Sequence, residues 1–221
     1  SLSDNVPIGN YKLKITQDAR QAVVISKETT FTAGTQLNVE ANITINNETI
    51  KIEKTDTMEE VFEKIRNACD NVGVSVFADK KSNIFGDATN APTEPSTTTN
   101  LDRAGYSSKS FESGDVLVFV TNEYGSDQEI SIYCDNQTLC NMLGLDTEGV
   151  VAKGVDAKAE PVYNTGAASG TLFNNTATVS IKGNKVTISD SNDFKMVFEI
   201  EPGTVGTKFT DKKAGDTTST V

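Results

Sequence analysis

The residues with the most chemical potential in this sequence are its carboxylates, its cysteines and one short acidic run. The chain of 221 residues holds 31 Asp and Glu, three Cys and no His. Paired carboxylates can divide general acid and base work, but only around a reacting group held between them. None of them groups near a nucleophile or a Gly-rich turn. Glu59 and Glu60 stand where a helix begins, and acids there meet the positive end of the helix dipole, so capping accounts for them. Asp190-Ser191-Asn192-Asp193 has the opening of a calcium loop. Such a loop needs oxygen ligands at positions 1, 3 and 5, Gly at 6 and Glu at 12. Position 6 is Lys195, so a polar hairpin turn is expected instead. Neither a GxGxxG nor a GxxxxGK[ST] phosphate cradle occurs.

The cysteines follow the same logic. Cys134 and Cys140 are close in sequence and Cys69 is distant, with no CxxC to suggest zinc or thioredoxin-like chemistry. Buried free thiols are expected, since free Cys behaves as a small hydrophobe; a Cys134–Cys140 disulfide is the alternative. Without His, Cys69 has no imidazole to activate it as a nucleophile. Asn-x-Thr sequons occur at Asn42, Asn47, Asn136 and Asn174. Chance alone gives about four in a chain so rich in Asn, Ser and Thr. Tyr106, Tyr124 and Tyr163 lie in loop-like segments, either as binding aromatics or as turn-packing residues. No catalytic, cofactor-binding or metal site is therefore expected, and no cofactor.

Composition narrows the partners. The net charge is −11 and the pI near 4.5, which argues against nucleic acid and anionic membranes, because both select basic faces. No apolar run approaches the ~18 residues of a membrane helix. The 28 Thr favour strands, and the 19 Asn favour turns.

The elements that position these residues are mostly strands. Tyr11, Leu13 and Ile15 alternate with polar residues, the period of a half-buried strand. Ile43, Ile45, Ile50 and Ile52 alternate on both sides of Asn46-Asn47, which reads as a hairpin whose Asn-rich turn tolerates positive φ. Thr57-Met58-Glu59-Glu60 fits a capping box. Met58, Val61, Phe62, Ile65, Ala68 and Cys69 then recur at helical spacing, and Asn71-Val72-Gly73 ends the helix. Val74, Val76 and Ala78 start a strand; Val116–Val120 reads as a buried strand, and Ile130, Ile132 and Cys134 as the next. Residues 138–144 suggest a short helix or turn. Further strands are carried by Val179, Ile181, Val186, Ile188, Phe194, Met196, Phe198 and Ile200. The fold class is α+β, predominantly antiparallel β with one amphipathic helix and a short second helix. Residues 1–155 are expected to form one β-rich domain with a long loop at about 79–115, longer than compact domains usually carry. Residues 156–221 are expected to form a second β-rich segment or subdomain with a frayed C-terminus, the boundary falling where Gly149 to Gly154 separates two β-rich stretches.

One ordered set of residues points further. Asn42-Ile43-Thr44-Ile45-Asn46-Asn47-Glu48-Thr49-Ile50-Lys51-Ile52 is followed by Asp56-Thr57-Met58, by Ile65-Arg66-Asn67-Ala68 and by Gly73-Val74-Ser75-Val76. This resembles the flagellin hook IN motif: a hairpin x-I-N-x-x-x-I-x-I, a D-T-x helix start, a helix ending in I-N and a G-V-x-A strand. Asn47 replaces the Gly of the family's I-N-G turn, and Ile65-Arg66-Asn67 carries an extra residue. Residues 9–17 with Ala19 and Ala22 look like the strand that precedes the motif in flagellins and filament-cap proteins. Leu117-Val118-Phe119, Gly125 and Ile130-Ser131-Ile132 resemble their following hairpin, and Leu143-Gly144-Leu145 with Gly154-Val155-Asp156-Ala157 resembles its ending. Residues 183–196 look more like flagellin inserts than like cap proteins.

The resemblance implies a structural component of the bacterial flagellum with no catalysis: the outward-facing central domain of a flagellin subunit, extracellular. It implies partnership with other flagellar subunits through regions missing from this chain, and with an export chaperone. The long terminal helices of flagellins are not found here, so an excised central portion is expected. The alternative within the organelle is a flagellar filament-cap or hook-associated protein, hook-associated protein 2. A further alternative, from a different class, is an adhesive or glycan-binding surface β-domain. The three Cys depart from the family, whose members usually have few or none.

Overall fold

The computed structural model describes residues 9–85, 110–146, 148–166, 170–192 and 194–201, together with the backbone of 217–220. It is α+β, built from antiparallel sheets and, among the described residues, three helices. The chain divides into two compact units. One comprises Gln21–Glu123 and Gln128–Gly154, the other Ser1–Arg20, Tyr124–Asp127 and Val155–Val221.

The first unit holds two sheets. Strands β2 (Val23–Ile25), β5 (Val74–Lys80) and β6 (Asp115–Thr121) form a three-stranded sheet in the order β2-β6-β5. Strands β3 (Ala41–Ile45), β4 (Glu48–Ile52), β7 (Glu129–Cys134) and β8 (Val150–Lys153) form a four-stranded sheet in the order β4-β3-β7-β8. Helix α1 (Met58–Asn71) packs on β4 and β5, and α3 (Gln137–Leu143) follows β7. A short helix, α2 (Lys81–Phe85), extends from β5 at the start of the segment expected to be a loop. Residues 86–109 of that segment, including Asn90–Asn100, lie outside the described residues, and its last residues lead into β6.

Local sequence explains the best-formed parts. The β3–β4 hairpin turns at Asn46, whose φ of 53° Asn tolerates better than most residues. Its register places Ile43 opposite Ile50 and Thr44 opposite Thr49. Thr57 caps α1 by accepting from the Glu60 amide at 3.3 Å, while Glu60 accepts from the Thr57 amide at 2.8 Å. All six residues of the expected apolar stripe are buried. They share one core with Ile43, Ile45, Ile52, Leu117, Phe119, Ile130 and Ile132. Asp56 locks the approach to the helix, accepting from the Glu53 amide at 2.7 Å and from Lys64 Nζ at 2.6 Å. Burial alone would raise the Asp56 pKa; the Lys64 ion pair and the Glu53 amide outweigh it and hold the carboxyl below its usual range.

Strand β6 is buried along its whole length. Its alternate residues Val116, Val118 and Val120 join Phe77 and Ile84 in a separate small core. Asp115 at its start is fully buried and paired with Lys80 at 2.8 Å, directly across the β5–β6 ladder. Its other oxygen accepts from the Glu112 amide at 3.0 Å.

The second unit also has two sheets. Strands β1 (Lys12–Gln17), β9 (Lys158–Pro161) and β13 (Thr217–Thr220) pair in the order β13-β1-β9, and β10 (Thr178–Lys182), β11 (Lys185–Ser189) and β12 (Lys195–Glu199) form a meander. Tyr11, Leu13 and Ile15 are buried with Phe173, Val186, Ile188, Phe194 and Met196. Its polar hub is Asp156. One oxygen accepts the Ser126 amide at 3.0 Å and the Gly183 amide at 2.8 Å, and the other accepts the Ser126 hydroxyl at 2.5 Å. The hydrogen bond from the Ser126 side chain, with the two amides, holds its pKa low. Gly125 and Gly183 permit this closeness. A Cβ on Gly125 would lie 2.8 Å from both the Asp156 carboxylate and Gly183 Cα, and one on Gly183 would strike the Tyr124 carbonyl.

Three expectations are corrected here. The N-terminal strand belongs with the residues after 154, because its ladder partners are β9 and β13 and not the strands that follow it. The stretch between Gly149 and Gly154 is no gap: it is β8, paired to β7 from Glu129↔Lys153 to Ile132↔Val150. Thr217–Thr220, expected to fray, pairs with β1 through backbone bonds that need no apolar side chains. Residues 202–216 lie outside the described residues.

Candidate functional site

The side chains singled out for chemistry are consumed by local structure. Glu60 completes the helix cap, and Glu59 accepts from the Gly34 amide at 3.1 Å. Asp190 closes its turn: one oxygen accepts the Asn192 and Phe194 amides at 2.8 and 3.2 Å, and the other takes the Asn174 side-chain amide at 2.6 Å. That leaves it a hairpin carboxylate and not a calcium ligand; Asp193 lies outside the described residues. No group of three or more potential metal ligands occurs among the described residues.

The cysteines are all free and buried. Burial, reinforced by the Asp70 charge, pushes the Cys69 thiol up to about 12, the opposite of what a nucleophile requires. Three of the four sequon asparagines are similarly occupied. Asn42 donates to Asp135 at 2.7 Å, Asn136 caps α3 by accepting from Thr138 and Leu139, and Asn174 accepts from Thr176 while donating to Asp190. At Asn136 and Asn174 the Thr two residues on closes an Asx turn, which gives those two sequons a structural origin. Of the candidate binding aromatics, Tyr124 is half-buried against the second core, and Tyr163 donates its hydroxyl to the Ala177 carbonyl at 3.2 Å. Tyr106 lies outside the described residues.

In the first unit a sheet face is open to solvent. In the four-stranded sheet, Ala41, Ile43, Ile45, Ile52, Ile130, Ile132 and Cys134 point into the core. The alternate residues Asn42, Thr44, Thr49, Lys51, Glu129, Ser131, Tyr133, Val151 and Lys153 form the opposite face, since side chains alternate along a strand. Thr44 sits between Thr49 and Tyr133 in the ladder, with its hydroxyl 2.9 Å from that of Thr49. Ser131 faces Val151, and Glu129 pairs with Lys153 at 3.1 Å. Tyr133 and Val151 are 51% and 63% exposed, large values for apolar residues on one sheet. Asn46 fixes this face in register: its side chain donates to the Glu129 carbonyl at 3.1 Å and accepts from the Ser131 amide at 2.8 Å. The face offers contact area, hydroxyls and two apolar side chains. Composition gave no signal for this face; the strand alternation did, but the partner strands were not readable.

No family model matches the chain, and no curated protein sequence does. Solved structures do. The D2-D3 domains of the flagellar cap protein FliD from Escherichia coli match with a TM-score of 0.50 at 16% identity, over 91% of this chain and 87% of that one. The corresponding domains from Serratia marcescens give 0.45 at 16% identity, over 90% and 97%. FliD from Bdellovibrio bacteriovorus gives 0.40 at 15% identity, over 87% and 93%. At these identities the likeness is one of fold, and the Escherichia coli domains carry it: the two-unit, antiparallel β-rich chain is similar in fold to D2-D3 of a flagellar cap protein.

Proposed function

We propose that this chain is a structural, non-catalytic part of the bacterial flagellum, located outside the cell and most akin to the outer domains of a filament-cap protein. The observation that carries this reading is the fold match to cap-protein D2-D3 domains across 91% of the chain. It coincides with the independent resemblance of the hairpin, helix start and following strand to the hook IN motif. The match spans both units, which favours the cap reading over the flagellin reading that the sequence alone put first. The flagellin reading keeps the support of the hairpin motif itself.

The acidic surface suits a water-facing domain of a secreted assembly, and its polymer contacts with other flagellar subunits are assigned to regions beyond these 221 residues. An export chaperone is a further partner of such a protein. The test is the full-length protein, examined by native mass spectrometry and electron microscopy. A closed ring-like oligomer supports a cap, and a helical filament supports a flagellin. A protein that stays monomeric at full length and whose gene deletion leaves swimming intact would overturn both.

A further inference from the structure

We propose that Cys134 and Cys140 form an oxidisable dithiol that closes to an intramolecular disulfide under an oxidising thiol poise. Cys134 ends β7 and Cys140 lies in the first turns of α3. Between them the chain reverses at Asn136, whose side chain accepts the Thr138 and Leu139 amides while its carbonyl accepts the Cys140 amide at 2.9 Å. This cap folds the helix back over the end of the strand. The Cys140 thiol consequently donates to the carbonyl of Cys134 itself at 3.3 Å, and the Cys134 thiol donates to the Asn136 carbonyl at 3.5 Å. A disulfide needs the two Cβ atoms to converge to roughly 3.5–4.5 Å. The backbone sets that separation, and side-chain rotation then only aligns the sulfurs; a Cys140 thiol that reaches the Cys134 carbonyl puts both side chains in one corner between the strand end and the helix cap.

The step balances with a low-molecular-weight disulfide such as oxidised glutathione. One cysteine, as thiolate, attacks a sulfur of that disulfide, forming a mixed disulfide and expelling one small thiol. The second cysteine then attacks the protein-bound sulfur, forming the Cys134–Cys140 bond and expelling the other. Two electrons pass from the protein dithiol to the small disulfide, and the two thiol protons end on the two released thiols. Burial and the neighbouring Cys140 push the Cys134 thiol up to about 12, so thiolate is scarce at neutral pH and closure is slow. Attack by Cys134 quickens as pH rises toward that value. Cys69, on α1, serves as an internal control.

The experiment treats the whole chain with oxidised glutathione at pH 7 and pH 9, and separately refolds it from urea in a glutathione buffer so that access does not limit exchange. Acid quench, alkylation and mass spectrometry then count thiols. The expected result is a monomer whose alkylatable thiols fall from three to one, two mass units lighter, with Cys69 the residue still labelled and with faster loss at pH 9. Cleavage before Asp135 separates the two cysteines and shows the link. Cys134→Ser and Cys140→Ser should each keep two free thiols. Three free thiols in both arms would overturn the proposal, as would glutathionylated or intermolecularly linked chains in place of the internal bond.

Discussion

Replacing Asp156 with Ala should destabilise the second unit strongly. The carboxylate accepts three hydrogen bonds from two segments far apart in sequence, Ser126 and Gly183. Hydrogen bonds to a charged group contribute roughly 1.5–3 kcal/mol each. Asp156 is only partly buried, so solvent screening reduces that sum, and about 3 kcal/mol is expected. For a unit of this size each kcal/mol moves the melting temperature by roughly 4–8 °C, so calorimetry should show a loss above about 10 °C in one transition. Asp156→Asn, which keeps an acceptor for the two amides, should lose less than half as much. The pH dependence has a definite sign. The folded pKa lies below the ordinary carboxylate value of 3.8. The stabilisation is therefore complete above that value and disappears as pH falls through the lower folded pKa. The gap between wild type and Asp156→Ala should be constant from pH 7 to 5 and shrink below 3.8. A melting change under about 2 °C, or a gap unchanged down to pH 2, would refute the hub.

Other substitutions test neighbouring parts of the same reasoning. Gly183→Ala adds a Cβ at φ 61° that strikes the Tyr124 carbonyl. Left-handed backbone costs about 1–2 kcal/mol before any clash, so urea unfolding should show a loss above about 2 kcal/mol. Thr57→Ala removes the α1 cap and should cost about 1 kcal/mol by the same assay. In β7 and β8 the two faces of the sheet should respond oppositely. Ile132→Ala should cost about 3 kcal/mol, whereas Val151→Ser on the open face should change thermal stability by less than about 0.5 kcal/mol.

The hairpin, α1 and its cap were legible because each is encoded within a few consecutive residues. Alternation set the Ile43–Ile52 hairpin, spacing set the buried stripe, and Thr57 with Glu60 set the helix start. The short helix near Leu139 was foreseen in outline, and Gly144 ends it at φ 67°. Strand pairing was not legible, since a period of two says which face is buried but not which strand lies alongside. Tyr11, Leu13 and Ile15 read correctly as a buried face, yet nothing local names β9 as the partner of β1. The segment Val150–Lys153 escaped notice because its flanking glycines read as a break. Asp156 looked like one acid among 31. The Gly154-Val155-Asp156-Ala157 run marked its neighbourhood, but its hydrogen bonds were not readable, since they come from Ser126 and Gly183, which only the fold brings to it.

The placement of β1 has a consequence for how the protein is made. Its ladder partners lie about 145 and 205 residues downstream. During synthesis the first unit to leave the ribosome complete is the hairpin–helix unit, while residues 11–17 are already out with no strand to join. An unpaired apolar strand is a template for pairing with other chains. Lys12 and Lys14, which interrupt its apolar residues, place charge on that exposed ribbon for as long as its proper neighbours are still being translated.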